Sequence, residues 1–302
     1  MSNSGNRSKN NRRRSNQSNR RRSHERAVPG LIAHPEVEGP LSNIDAERAA
    51  NHRWAGRSYL FAGIVIAAFF SIFASLVSPI AGAIVFGVVL VGSSLLIRRS
   101  APKAVIRAIG AAPIAEGQVP RVETLLEGMS VTVGVATPEV RVLIDETPNA
   151  AALTTPEGPV IVLTTGLINA LSVVELEGVL AHLLSHQRTG SNERGTMGAG
   201  LALLGGPLTR SAERSHRLIG KGRLLRADEV GVLATRYPPG LAEALYKMEQ
   251  APLPAQGSFF ASDFYKTLRW LFIDPSIGLR AATDEVGDDD ATGVRRRVLE
   301  EA

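Results

Sequence analysis

Two histidines four residues apart are the part of this sequence best suited to chemistry. His182 and His186 would lie on one face of a helix, where both imidazoles can bind the same metal ion. In zinc-dependent hydrolytic sites with the pattern His-Glu-x-x-His, the second position supplies the general base. Leu183 occupies that position here. The residues therefore predict a metal-site frame that lacks its base.

A helix must present these histidines, and the sequence marks where it begins. Ser172 and Glu175 have the spacing of a capping box, which predicts a helix from this point to about Arg188. Other periodic and β-branched runs predict the neighbouring elements: strands at 140–145 and 160–164, and helices at 118–135, 218–234 and 241–248.

The longest uncharged run predicts a membrane hairpin. Residues 58–97 contain no charged side chain, and a bilayer span needs about 20 apolar residues. Ser78-Pro79 supplies a turn near the middle, so we expect spans at about 58–77 and 80–97. A single buried core helix is the alternative, but uncharged runs of this length are rare in soluble proteins. The run is too long, and too far from the first residue, for a cleaved signal peptide.

Basic residues on both sides of this run predict its orientation. The flanking cations are His52, Arg53 and Arg57 on one side and Arg98, Arg99, Lys103 and Arg107 on the other. Because positive charge favours the cytoplasmic side, both chain ends and the body should be cytoplasmic in a multi-pass integral membrane protein. The absence of cysteine fits a reducing compartment.

The net charge of +5 comes from an Arg-rich tail at residues 1–28. With almost no apolar residues, this tail is expected to be disordered. Two Arg triplets could hold it on anionic lipids, although a solvated tail without a partner is the alternative. Nucleic acid is an unfavoured partner because no aromatic residue lies among the charges. The triplets are Arg12, Arg13 and Arg14, and Arg20, Arg21 and Arg22.

Three motifs together resemble a known family. Pro148-Asn149-Ala150, Thr165-Gly166-Leu167 and the stretch from Glu175 to His186 are similar to the HtpX-like membrane zinc metallopeptidases, relatives of the CAAX prenyl proteases. The resemblance covers roughly residues 100–250. It implies an α+β, zincin-like (gluzincin-type) body on a two-helix transmembrane hairpin.

The chain departs from this family at a second key position. The family's third zinc ligand is a Glu in a pattern like Glu-x-x-Ala-Asp, which corresponds here to Leu224 through Asp228. Leu224 stands at the ligand position, and the resemblance makes Asp228 the residue that orients a histidine. Asp228, Glu229 or His216 could substitute as the third ligand. Otherwise His182 and His186 are core residues that bond to Asp228 and backbone groups. The family's late His-Pro-Pro segment has no match near 291–299.

The predicted organisation is a tail (1–28), a linker (29–57), the hairpin (58–97), a cytoplasmic peptidase-like domain (101–250) and a C-terminal extension (251–302). We expect a non-catalytic binding or scaffold protein without a resident cofactor, zinc being the candidate metal. Its cleft would hold a peptide or membrane protein, with an extended peptide pairing along a strand at Val160, Ile161, Val162, Leu163 and Thr164. The alternatives are an active zinc endopeptidase with a relocated third ligand and an electrostatic membrane organiser acting through the Arg-rich tail.

Overall fold

The structure, a computed structural model, describes residues 43–115, 117–205, 212–277 and 291–302. These residues belong to one compact unit, Pro40–Ala302. The predicted tail at 1–28 and the first part of the predicted linker lie outside the described residues.

Helices dominate the described part of the chain. They are α1 (Ile44–Ser75), α2 (Pro79–Ile109), α3 (Pro120–Val133), α4 (Thr165–Ala170), α5 (Val173–Arg188), α6 (Ser191–Leu204), α7 (Ala212–Ile219), α8 (Arg223–Thr235), α9 (Pro238–Gln250), α10 (Asp263–Leu268) and α11 (Thr292–Glu301). Two short 3-10 helices occupy Phe259–Ala261 and Arg269–Leu271.

Helices α1 and α2 form an antiparallel hairpin with tightly packed small residues. A Cβ added at Gly63 would collide with Ser94, and one at Gly82 would collide with Ser75. Pro79 begins α2 behind the N-cap Ser78, as the turn signal predicted. Both helices are long and apolar enough to cross a membrane, and their large apolar side chains are mostly exposed.

Both helices extend beyond the ends of the uncharged run. Residues 44–57, assigned to a linker from the sequence, form the first turns of α1 and pack on the body. The Asn51 side-chain amide donates to the Thr189 carbonyl at 2.9 Å, and Glu47 pairs with Arg226 at 3.0 Å. This part of α1 therefore belongs structurally to the body.

Four strands form a mixed sheet in the order β1-β2-β4-β3. The strands are β1 (Ala112–Pro113), β2 (Glu139–Leu143), β3 (Ala150–Thr155) and β4 (Gly158–Thr164). β2 is parallel to β4, while β3 is antiparallel to β4 and β1 is antiparallel to β2. The described fold is thus a helix-dominated α+β arrangement.

Both faces of β4 are buried, because alternate side chains enter two different cores. Ile161 and Leu163 join the cluster that includes α3, α5 and α9. Val160 and Val162 join the cluster on the opposite face, which includes residues of α2, α6 and the segment near Phe272. The sheet thereby separates the core around α5 from the core that includes the end of α2.

Helix α6 connects the hairpin to the body. A Cβ added at Gly200 would lie 2.6 Å from the Ala101 Cβ on α2, and one at Gly198 would lie 2.2 Å from the Leu218 carbonyl oxygen on α7. Only glycine allows these close approaches. The apolar stretch at 197–208, left unassigned from the sequence, therefore lies in α6 for its described part.

Candidate functional site

Helix α5 carries the two histidines and is held at both ends. Its capping box is complete: the Ser172 side chain accepts from the Glu175 backbone N–H, and the Glu175 carboxylate accepts from the Ser172 N–H. Glu175 also pairs with Lys247 of α9 at 2.8 Å. Past the C-terminal end, Thr189 binds α1 through Asn51. Since α5 is anchored on several sides, its inward residues have fixed positions.

His182 lies at the end of a buried chain of charged groups. Its Nδ1 is 2.7 Å from an Asp228 carboxylate oxygen. Arg295 of α11 grips the same carboxylate with two N–H groups at 2.6 and 2.8 Å and also donates to the Ile273 carbonyl. All three side chains are essentially inaccessible to solvent. A fork of this kind fixes both the carboxylate and the imidazole that bonds to it.

His186 is held by a residue of the next helix. Its Nδ1 lies 2.7 Å from the Ser191 hydroxyl, and Ser191 is the first residue of α6. The two imidazole rings pack edge to face with centroids 4.8 Å apart. The support of this histidine thus comes through a side chain of the helix that contacts the membrane hairpin.

The opposite nitrogens have no such partners. Within the described residues, Nε2 of His182 and Nε2 of His186 are both buried without a hydrogen-bond partner. Burial lowers the pKa of His182 even though Asp228 opposes this effect. Burial, with Arg223 and His182 adding to it, places the pKa of His186 well below its ordinary value. Both imidazoles are therefore neutral at neutral pH, and the Nε2 atom of each is buried in the interior.

The carboxylate of Asp228 remains charged in this environment. Burial by itself would raise its pKa, but the Arg295 charge and hydrogen bonds, with a contribution from His182, hold the pKa below the usual Asp value. The result is a neutral imidazole beside an ion pair.

Leu183 and Leu224, the two leucines noted in the sequence, are both buried. Leu183 follows His182 on α5, and Leu224 is the second residue of α8. Their side chains are 1% and 0% exposed. On α8, Leu224, Asp228 and Gly231 are spaced by four and three residues, which places them on one face. A Cβ at Gly231 would lie 3.0 Å from the His182 backbone nitrogen. This face is therefore the one packed on α5, with Leu224 one turn before Asp228.

The described donors do not fit a catalytic zinc ion. Such a site needs three protein ligands and an open position for water. Two Nε2 atoms are present, but among the described residues no group of three or more His, Cys, Asp or Glu side chains could hold a metal ion. Glu229 is bound to Arg226 on the outside of α8 at 3.0 Å, and His216 stacks on Trp270 with ring centroids 3.6 Å apart.

The expectation that a peptide pairs along β4 is wrong for this structure. Val160, Ile161, Val162, Leu163 and Thr164 are all hydrogen-bond-paired within the sheet, because β4 lies between β2 and β3. Of the two outer strands, β1 has only two residues, and two outward groups of β3 are already used. The Ile273 N–H donates to the Ala150 carbonyl at 2.8 Å, and the Thr154 N–H donates to the Thr196 hydroxyl at 2.9 Å.

Two supporting residues escaped the sequence analysis. Arg295 is the first of three consecutive arginines, and nothing in the sequence separates it from Arg296, which pairs with Glu249 at 2.9 Å, or from the exposed Arg297. Ser191 follows a Gly, and nothing in the surrounding sequence marks it as a residue that supports a histidine. The tail arginines predicted to bind the membrane surface lie outside the described residues; they are Arg12, Arg13, Arg14, Arg20, Arg21 and Arg22.

Comparison with known proteins shows that this chain is similar to a family of peptidases. Residues 116–210 match peptidase family M48. The chain is 30% identical over 167 residues to a Protease HtpX homolog of Dictyoglomus thermophilum, covering 44% of this chain and 55% of that one. It is 30% identical over 188 residues to the homolog of Tropheryma whipplei, covering 50% and 65%.

A third relative, the Protease HtpX homolog of Thermococcus sibiricus, is 29% identical over 174 residues, covering 45% of this chain and 59% of that one. The match thus spans a little over half the length of these curated relatives. No solved structure matches the chain. The resemblance drawn from the three motifs is confirmed.

Proposed function

We propose that this relative of the HtpX-like membrane metallopeptidases is a non-catalytic binding or scaffold protein. In this proposal the body has a zincin-like fold, stands on two membrane spans, and faces the cytoplasm together with both chain ends. Loss of proteolysis follows from the residues at the former site, and the retained fold serves to hold a partner.

The observation that carries this proposal is the pair of buried leucines at the two positions where the family has carboxylates. Without a third ligand, two imidazoles bind zinc weakly. Without a base at position 183, activation of water would lose a factor on the order of 10²–10⁴. The leucines also remove buried carboxylates that would be costly to keep without a metal to neutralise them. The two substitutions are therefore consistent with each other.

The paired strands restrict what the partner can be. An extended peptide cannot add to β4. At the outer edge of β3, the Ala150 carbonyl already accepts from the Ile273 N–H, and the Thr154 N–H already donates to the Thr196 hydroxyl. A partner must use another surface of the body or the exposed faces of α1 and α2. A membrane protein fits this restriction better than an extended peptide.

The first test is the zinc content of the full chain, measured by elemental mass spectrometry after purification in detergent. We expect far less than one zinc per chain, in both the parent and His182→Ala. Near-stoichiometric zinc in the parent that disappears in His182→Ala would overturn the proposal.

Restoring the carboxylates gives a sharper test. Leu183→Glu combined with Leu224→Glu should raise zinc affinity by at least a factor of about 100, because a ligand and its neighbouring charge are regained. The matched control is Leu183→Gln with Leu224→Gln, which has the same side-chain shape without the charge. Equal zinc binding by the two folded double variants would show that α5 and α8 do not form the former metal site.

One observation favours a second function, an active zinc endopeptidase with a relocated third ligand. The two buried Nε2 atoms lack partners among the described residues, as the ligands of an unfilled metal site would. In this case cleavage of an unfolded protein such as casein should require zinc, and both a chelator and His182→Ala should abolish it. Cleavage that survives either treatment would exclude this function.

A further inference from the structure

We infer that the base of the membrane hairpin holds the headgroup of an anionic phospholipid, with its phosphate between Arg98 and Arg99. The inference rests on membrane insertion of α1 and α2, which is part of the proposed function. It does not depend on whether the histidine pair is catalytic, so the zinc experiments and the lipid experiments can fail separately.

A cavity of about 380 Å³ lies where α2 meets the body. Three parts of the fold line it: the end of the apolar part of α2 with Leu95, Arg98, Arg99 and Pro102; the end of β3 and the turn after it with Thr154, Thr155 and Pro156; and α6 with Glu193, Thr196 and Met197. Arg98 and Arg99 are the first charged residues after the uncharged run. The cavity therefore lies at the level of the lipid headgroups.

An apolar path along α2 leads into this cavity. Ile84, Val88, Val91 and Leu95 are spaced by four, three and four residues, which places them on one face of the helix, and all four are exposed. The same spacing continues to Arg98, Arg99 and Pro102. A lipid whose acyl chain lies on the apolar stripe would thus bring its phosphate to the two guanidinium groups.

The charges around the cavity favour an anion. Within the described residues, neither Arg98 nor Arg99 has a carboxylate within ion-pair distance, and Arg98 is positioned with its guanidinium 6.0 Å from the centre of the Tyr59 ring. The nearby Lys103 pairs with Glu157 at 3.3 Å. Glu193 is the carboxylate in the lining, and it contacts His52. Two free cations against one carboxylate leave the lining net positive.

The body contributes a hydroxyl group that has no hydrogen-bond partner among the described residues. The Thr154 hydroxyl oxygen is buried and has no partner among the described residues, whereas the neighbouring Thr155 and Thr196 hydroxyls donate to the carbonyls of Gly158 and Asn192. A phosphate oxygen would accept a hydrogen bond from Thr154. Glu193 would accept from a headgroup hydroxyl, as phosphatidylglycerol offers.

The experiment is lipid binding by native mass spectrometry, with the full chain delipidated in detergent and titrated with phosphatidylglycerol or phosphatidylcholine. We expect the parent to bind phosphatidylglycerol at least about tenfold more tightly. Arg98→Gln with Arg99→Gln should weaken this binding about 30-fold, because each basic residue near the surface contributes a factor of about five. Equal binding of the two lipids by the parent would overturn the inference.

The matched control removes two basic residues that flank the uncharged run on the other helix. Arg53→Gln with Arg57→Gln changes the charge equally but leaves the cavity lining intact, so its loss should stay below about threefold. An equal loss in both double variants would mean that only overall surface charge matters, and would overturn the site.

A second arm separates a lipid from a free phosphate compound. Val91→Ser with Leu95→Ser should weaken phosphatidylglycerol binding, and glycerol 3-phosphate should not compete at concentrations where the lipid does. Effective competition by glycerol 3-phosphate would assign the cavity to a free phosphate ester instead. If the Arg double variant does not fold, Thr154→Val decides: it keeps the side-chain shape and should weaken lipid binding several-fold, and unchanged binding would overturn the site.

Discussion

The two sides of the histidine pair differ sharply. On the Nδ1 side, which we name the support side, His182 meets Asp228 and Arg295, and His186 meets Ser191. On the Nε2 side, the ligand side, neither nitrogen has a partner among the described residues. The groups that orient the imidazoles are present, whereas leucines stand at the two positions that we propose correspond to the family's carboxylates.

This difference has a physical reason. The Asp228–Arg295 pair is fully buried and links α5, α8, α11 and the segment at Ile273, so removing either member leaves a charge in a dry interior. The metal-side carboxylates would be the reverse case, since without a metal they are buried charges that leucine removes. The proposed loss of catalysis would therefore remove the metal ligands while the buried supports remain.

Breaking the support side should cost the most. Arg295→Met leaves the buried Asp228 carboxylate without its charged partner, which should lower the free energy of unfolding by about 3–5 kcal/mol. Denaturant unfolding in detergent, followed by tryptophan fluorescence, measures this. The control is the exposed neighbour Arg297→Met, expected within about 0.5 kcal/mol of the parent. If Arg295→Met were as stable as its control, the support side would not contribute stability.

The ligand side should behave as ordinary apolar core. Leu224→Ala removes a fully buried side chain and should cost about 2–5 kcal/mol in the same unfolding measurement. Leu233→Ala on the same helix, where the side chain is 41% exposed, is the matched control and should cost much less. Similar costs for the two variants would show that Leu224 faces a vacant site instead of a packed one.

A double-mutant cycle isolates the weaker support, between His186 and Ser191. Ser191→Ala, His186→Gln and the double variant should give a coupling free energy of about 1 kcal/mol, as expected for a buried hydrogen bond. A coupling near zero in unfolding measurements would mean that Ser191 is a neighbour of His186 without orienting it.

Protonation of the two buried histidines should also make stability depend on pH. The folded-state pKa values of His182 and His186 are lowered, so below about pH 6.5 the unfolded chain binds more protons than the folded one. Stability is then complete above this pH and falls as the pH decreases, by at most about 1.4 kcal/mol per pH unit for each histidine. His182→Gln with His186→Gln should flatten the curve between pH 7 and 5. A parent curve that is already flat would contradict the burial of both imidazoles.

The sequence predicted individual helices and turns better than it predicted which strands pair with each other. The capping box at Ser172 gave α5 to its last residue, and Ser78-Pro79 marked the hairpin turn. Strand β3 was missed because it begins with three alanines, which are depleted in strands, and its pairing with β4 is what makes it a strand. The wrong assignment of a free edge to β4 has the same origin, since strand order does not follow from local pattern.

In the candidate site, too, some residues could be predicted from the sequence and others could not. The helical spacing of His182 and His186 and the position of Asp228 could be read from residue types. Arg295 could not, because its partner is 67 residues away and its neighbours Arg296 and Arg297 are identical in type. Only the packing of α11 selects which arginine enters the core.

Because α1 is one continuous helix, the tilt of the body depends on the thickness of the bilayer. This helix has 32 residues and is about 48 Å long, whereas the hydrocarbon layer is about 30 Å thick, so roughly a third of its length projects from the membrane. Its projecting turns are fixed to the body through Asn51 and Glu47. A thinner or thicker bilayer changes the tilt of such a helix relative to the membrane. Because the body is fixed to α1, its orientation relative to the membrane changes with this tilt.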